Sequence, residues 1–149
     1  MPIGEFCTQD VITALRGETA FDAARKMSEK GVGSIVIADI DRTPLGMVTD
    51  RDIAVKVVAQ GKDPKTTLLQ EIMSKDPVVL RKDRGVFETT KIMREQGIRR
   101  IPVVDDEGKL AGIICLDDLM MVFGEELANL AGTIAYGTAG SKGGKVAVG

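Results

Sequence analysis

The chain repeats itself. Laid 66 residues apart without a gap, Phe21 falls on Phe87, Met27 on Met93, Glu29 on Glu95, Gly31 on Gly97, Ile35 on Ile101, Asp39 on Asp105, Gly46 on Gly112 and Asp52 on Asp118. Other pairs are chemically alike: Ile12 with Val78, Arg25 with Lys91, Val48 with Ile114 and Ile53 with Leu119. Matches held at one offset over roughly 45 residues mark an internal duplication. Each copy must therefore take the same local structure. Each is also too short to bury a sufficient core alone, so the two must cover one another.

The pattern inside a copy predicts β-α-β-β-α. Residues 11–14 and 77–80 read as short apolar strands. A helix follows, with Thr19-Ala20-Phe21-Asp22 as a capping box and Ala20, Ala23, Ala24 and Met27 at helical spacing. Its counterpart carries Val86, Phe87, Thr90 and Met93, and Gly31 and Gly97 sit where each helix should stop. Two β-branched runs separated by a polar turn (34–38 and 45–48, then 100–104 and 110–114) read as hairpins. A last helix should begin at Thr49-Asp50 and at Leu116-Asp117. Between the copies, residues 61–65 are a break and 67–73 a short capped helix. After Ala131 glycine becomes frequent, and the composition reads as a flexible tail. The expected division is 8–65, 66–131 and a tail at 132–149. The fold class is mixed α/β, or α+β, with the copies related by a pseudo-two-fold axis.

Composition narrows the function. Of the 149 residues 44% are hydrophobic and 28% charged, the balance of a globular protein, but only 3% are aromatic, so the core must be aliphatic. There is no His, which removes Ser-His and Cys-His nucleophile pairs and His-based metal sites. No Walker-type loop and no Gly-x-Gly-x-x-Gly after a strand occurs, so an enzyme is not expected. Cys7 and Cys115 lie far apart, and a lone unpatterned pair suits a reducing, cytoplasmic setting. The start lacks a signal peptide's pattern, no run approaches a membrane span, and a formal net charge of −2 argues against nucleic acid. The acidic pairs Asp50/Asp52 and Asp117/Asp118 lack nearby third ligands, so no metal site is expected. The methionines, among them Met120 and Met121, read as core.

Gly46-Met47-Val48-Thr49-Asp50-Arg51-Asp52 ends a strand and opens a helix. Free backbone N–H groups there suit a phosphate, and a carboxylate one turn in suits a ribose diol. The same Thr-x-x-Asp is equally a capping box, and one residue pair can serve both ends.

The tandem units, the Gly-x-x-Thr-x-x-Asp junction and the Arg-x-Pro-Val strand together resemble a CBS-domain pair over about residues 8–131. The resemblance implies a regulatory, energy-sensing module that binds AMP, ADP or ATP in clefts between the copies, with no resident cofactor and with magnesium entering only alongside ATP. It implies a homodimer acting on an unknown regulated protein. It places Thr49 and Asp52 in a first cleft, facing Ile98, Arg99, Arg100, Pro102 and the lead-in Asp76, Pro77 and Val78, with Arg100 on the phosphate. A second cleft would hold Asp118 and Cys115 opposite Gly33, Ser34, Ile12 and Asp10. It should be the weaker, because Cys115 replaces the Thr and no Arg faces it. The alternatives are a dimerisation scaffold with empty clefts, and a sensor of S-adenosylmethionine-type ligands.

Overall fold

The structure, a computed structural model, describes residues 1–140, the last three by backbone alone. Each copy folds as β-α-β-β-α. Copy one contains β1 (Thr13–Ala14), α1 (Ala20–Lys30), β2 (Ser34–Ala38), β3 (Pro44–Thr49) and α2 (Asp50–Ile53). α3 (Leu69–Ile72) and β4 (Ser74–Lys75) follow. Copy two contains β5 (Leu80–Arg81), α4 (Val86–Gln96), β6 (Arg100–Val104), β7 (Leu110–Cys115) and α5 (Leu116–Gly140). The sheets are ordered β1-β2-β3-β4 and β5-β6-β7, each with its first pair parallel and the hairpin antiparallel.

The local signals act as the sequence predicts. Thr19 accepts from Asp22 N–H at 3.2 Å, while the Asp22 carboxylate accepts from Thr19 N–H at 2.9 Å, closing the capping box. Gly31 and Gly97 end α1 and α4 at φ 64° and 65°, where a side chain would strain the backbone. Strands β1 and β5 are two residues each and begin later than expected. The short helix starts at Leu69 rather than Thr67. Only half a box forms, with Glu71 accepting from Leu68 N–H, because the N-cap is Leu68, whose side chain has no acceptor, while the Thr67 hydroxyl donates to Asp63 C=O. α2 gives way to a π-helical turn, Ala54–Val58, closed by Ala59 N–H on Ala54 C=O at 2.9 Å.

The duplication reaches further back than the identities show, because each copy is completed by the other's lead-in. Ile3 N–H donates to Arg84 C=O at 2.8 Å, and its counterpart Leu69 N–H donates to Glu18 C=O at 2.8 Å. Thr8 exchanges two bonds with Ile113 at 2.9 Å each, and the counterpart Ser74 pairs with Met47 in β4 against β3. The side chains follow the backbone. Leu69, Ile72 and Met73 join the copy-one core around Ile35, Ile37, Val48 and Val57. Ile3, Phe6 and Cys7 join the copy-two core around Ile101, Val103, Ile114 and Leu119. Ile3 and Leu69 are fully buried, each contributing about 1.5–3 kcal/mol by transfer from water.

A second tie joins the hairpin turns. Lys109 Nζ lies 2.8 Å from Asp41 and donates to Thr43 Oγ1 at 3.2 Å. Arg42 takes φ 69° where its counterpart is Gly108, and its guanidinium and backbone both reach Leu110. Those cross-copy bonds hold it in a conformation that otherwise costs about 1–2 kcal/mol.

The tail differs from expectation. α5 continues unbroken through residue 132 to Gly140, and the rest of the expected 132–149 tail, residues 141–149, lies outside the described residues. Between the glycines stand Leu127, Ala128, Leu130, Ala131 and Ala135, strong helix formers, and no Pro interrupts them. From Gly124 to Gly137 every residue is exposed. No helix among the described residues is long and apolar enough to cross a membrane.

Candidate functional site

Both strand-to-helix junctions are built alike. At the first, Asp52 Oδ2 accepts from Thr49 N–H at 2.9 Å and Asp52 N–H donates to Thr49 Oγ1 at 3.1 Å. At the second, Asp118 Oδ2 accepts from Cys115 N–H at 3.0 Å and from the Cys115 thiol at 2.9 Å, and Asp118 N–H reaches Cys115 Sγ at 3.4 Å. Sulfur thus performs the capping role of the Thr hydroxyl at longer range. Burial, then the bond to Asp118, pushes the Cys115 thiol above its ordinary pKa.

The second junction opens on a cleft of about 370 Å³ between the copies. Its walls include Asp10, Ile12, Gly33 and Ser34 from copy one and Cys115, Asp117 and Asp118 from copy two. All six residues expected of the second cleft are therefore brought together. The volume and mixed lining suit a small molecule.

Arg100 differs from expectation. The sequence assigns it to the first cleft, and the structure places it in the lining of the second. The register explains this. Arg100 pairs directly with Cys115 across β6 and β7, and directly opposed residues project from the same face. Its counterpart Ser34 stands likewise beside Thr49 and also lines the second cleft. Positions 34 and 100 thus both line the second cleft, and Arg100 brings a guanidinium to it.

The residues assigned to the first cleft are more dispersed. Asp76 is exposed at φ 48°, Pro77 half-buried and Pro102 buried. Val78 and Ile98 pack against the copy-two core. Ile98 and Arg99 line a separate apolar groove of about 340 Å³ with Thr90, Met93, Arg94, Gly97, Leu116 and Leu119, on the α4–α5 side. Sequence reasoning also missed Lys56. Its ammonium lies 3.2 Å from Asp52 Oδ1 and donates to Ile72 C=O at 2.9 Å, so both Asp52 oxygens are engaged. The counterpart position carries Val122, and among the described residues no cation does the same for Asp118. The signal was the i,i+4 spacing of Asp52 and Lys56.

Among the described residues, no three His, Cys, Asp or Glu side chains are grouped to hold a metal ion. Met120 and Met121, read as core, are 64% and 76% exposed. Phe21, Val55, Val58 and Phe87 are exposed as well, and Phe87 stacks on Phe123 at 5.8 Å. Phe21 and Phe87, and Val55 and Met121, are counterparts, so each copy exposes apolar side chains at matching positions. Ala20 and Ala23, which stand at helical spacing in the sequence, are fully buried beneath α1 against its own sheet.

A family model described as CBS domain matches residues 3–59 and 69–125. The chain is 44% identical over 120 residues to an uncharacterized protein, MK0525, of Methanopyrus kandleri, covering 80% of this chain and 61% of that one. It spans under a fifth of two Arabidopsis thaliana CBS domain-containing proteins at 34% and 33% identity. Among solved structures, the CBS domain pair of protein MJ0100, in complex with 5-methylthioadenosine and S-adenosyl-L-methionine, superposes with a TM-score of 0.76 at 26% identity, covering 85% of this chain and 98% of that one. A hexameric CBS-CP12 protein from bloom-forming cyanobacteria superposes with a TM-score of 0.72 at 32% identity, covering 96% and 88%.

Proposed function

The chain belongs to the CBS-domain family, and from that premise we propose that it is a regulatory module binding an adenine nucleotide between its two copies, without catalysis. The observation that carries this reading is the second cleft. Asp118 projects from a helix start, where a carboxylate suits a ribose diol. Arg100 stands beside it on the wall, and a guanidinium fork suits a phosphate. Ile12 and Val32 supply apolar surface for a base. Adenine-bearing ligands in the MJ0100 relative support the ligand class. The exposed apolar side chains at matching positions of the two copies, and the hexameric assembly of the cyanobacterial relative, support self-association.

One observation favours a second ligand. Asp10, Asp117 and Asp118 outnumber Arg100 in the cleft, a field that suits the cationic sulfonium of S-adenosylmethionine. Thermal unfolding with AMP, ADP, ATP, adenosine and S-adenosylmethionine distinguishes the readings. A ligand at one hundred times its Kd adds about 2.7 kcal/mol. For a chain of this length that is a rise of about 5–10 °C. A rise with the nucleotides supports the first reading, a rise with S-adenosylmethionine alone supports the second, and none at all leaves the module as a scaffold.

A further inference from the structure

We propose that the two clefts, though built from one duplicated unit, are not equivalent, and that Lys56 decides between them: it ties up Asp52, and the chain takes one ligand, in the cleft of Asp118 and Arg100. This rests on the nucleotide reading above and names the residue that selects the site.

The two junctions, built from one duplicated unit, differ at a single oxygen. Both junctions hold one carboxylate oxygen on the backbone N–H three residues earlier, at 2.9 Å for Asp52 and 3.0 Å for Asp118. They differ at the second oxygen. Asp52 Oδ1 faces the Lys56 ammonium at 3.2 Å, and that ammonium is itself anchored on Ile72 C=O at 2.9 Å. The Asp52 side chain is only 17% exposed in this arrangement. A ribose there would have to displace an ion pair to gain hydroxyl bonds, exchanging a charged partner for neutral ones. At the duplicate position Val122 has no charge to offer, and the bonds from Cys115 fall on Asp118 Oδ2, so among the described residues no cation competes with a ligand for Oδ1.

Lys56 is placed by two features of copy one. It lies one turn after Asp52, at the spacing where side chains meet. It also falls inside the π-helical turn Ala54–Val58, which brings its ammonium within reach of Ile72 in α3. Copy two continues as a regular helix through the matching residues. The other expected groups of the first cleft agree with its silence. Arg100 lines the second cleft, and Ile98 and Arg99 line the α4–α5 groove. The order expected from the sequence, strong first cleft and weak second, is thereby reversed.

Titration calorimetry on the full chain, with AMP and in parallel with S-adenosylmethionine as probes, reads the number of sites. The wild type should bind one ligand per chain. Asp118→Asn, which keeps a cap acceptor, should weaken that event at least 10-fold, and Asp52→Asn should leave it within about 2-fold. Lys56→Val, the residue of the duplicate position, should reveal a second event per chain. Lys56→Met keeps the aliphatic stem and should do the same, should the valine prove poorly folded. Two equal events in the wild type, or a single event in both Lys56 variants, overturns this inference and leaves the nucleotide reading standing. No heat from either probe with any variant overturns the nucleotide reading and this inference with it.

Discussion

Arg100 and Cys115 are directly paired across β6 and β7, and both line the second cleft, so a fixed cation and a capping thiol share one wall. If that cation meets a phosphate, Arg100→Ala should weaken AMP at least 10-fold while leaving adenosine within about 2-fold, as each charge-assisted bond contributes about 1.5–3 kcal/mol. Arg100→Lys should recover only part, lacking the fork. Calorimetry with both ligands checks it; equal losses for AMP and adenosine would mean that Arg100 shapes the cleft and reads no phosphate.

The Cys115 thiol, raised by burial and then by the Asp118 bond, is protonated at neutral pH. In a Cys7→Ser background, iodoacetamide should react with it more slowly than with free cysteine at pH 8. The rate should climb only above the ordinary thiol range near pH 8.5. Asp118→Asn should speed the reaction, and bound nucleotide should slow it. Because the folded pKa is raised, the stability it contributes is complete below the ordinary thiol pKa and is lost as pH rises through the folded value.

Asp41, held chiefly by the Lys109 ammonium and next by Thr43, is lowered to about 2. Carboxyl NMR titration should return it toward ordinary aspartate values near 3.9 in Lys109→Met. The contribution is present above the ordinary value and lost as pH falls through about 2, so the variant should lose its stability difference from wild type in strong acid.

A methyl on Gly46 would sit 2.5 Å from Ser74 C=O, and one on Gly112 would sit 2.8 Å from Thr8 C=O and 2.6 Å from Cys7 Sγ. Backbone cannot yield as a side-chain tip can. Gly46→Ala and Gly112→Ala should each cost about 1–3 kcal/mol in urea unfolding. Gly17→Ala, with nothing within 4 Å, should change it by less than about 0.5 kcal/mol.

The repeated exposed apolar side chains predict a homodimer at micromolar concentration. Light scattering should give twice the chain mass for the wild type. Phe87→Asp, at a residue 69% exposed, should give the chain mass with its fold retained by circular dichroism.

What the sequence revealed followed from local chemistry. Capping at Thr19 and Asp22, the glycine stops at Gly31 and Gly97, and the hairpins rest on neighbouring residues, so their signals lie within a few positions. The six residues named for the second cleft came from the resemblance to the CBS-domain pair, and they do line one cavity, but with Arg100 added. The exchange of lead-ins was hidden, since Ile3 and Leu69, or Thr8 and Ser74, are alike but not identical and contact partners far away in sequence. The place of Arg100 depended on strand register, which residue type does not carry; Lys56 stood four residues from Asp52 in plain sight, but its bond to Ile72 C=O depends on the tertiary placement of α3. The length of α5 was concealed by glycines that its alanines and leucines outweigh.

The borrowed lead-ins have an evolutionary consequence. A single unit standing alone would carry its first eight residues as an arm with nothing of its own to cover, and its sheet would lack the edge and the buried aliphatics that Ile3 or Leu69 provides. Two such units trading arms would satisfy each other at once, as domain-swapped partners do. Fusion of the two genes then needs no new contact, only a connection, and frees the halves to diverge. Val122 and Lys56, Ser34 and Arg100, Thr49 and Cys115 record that divergence: a symmetric ancestor could not have changed one binding surface without changing both, and this chain can.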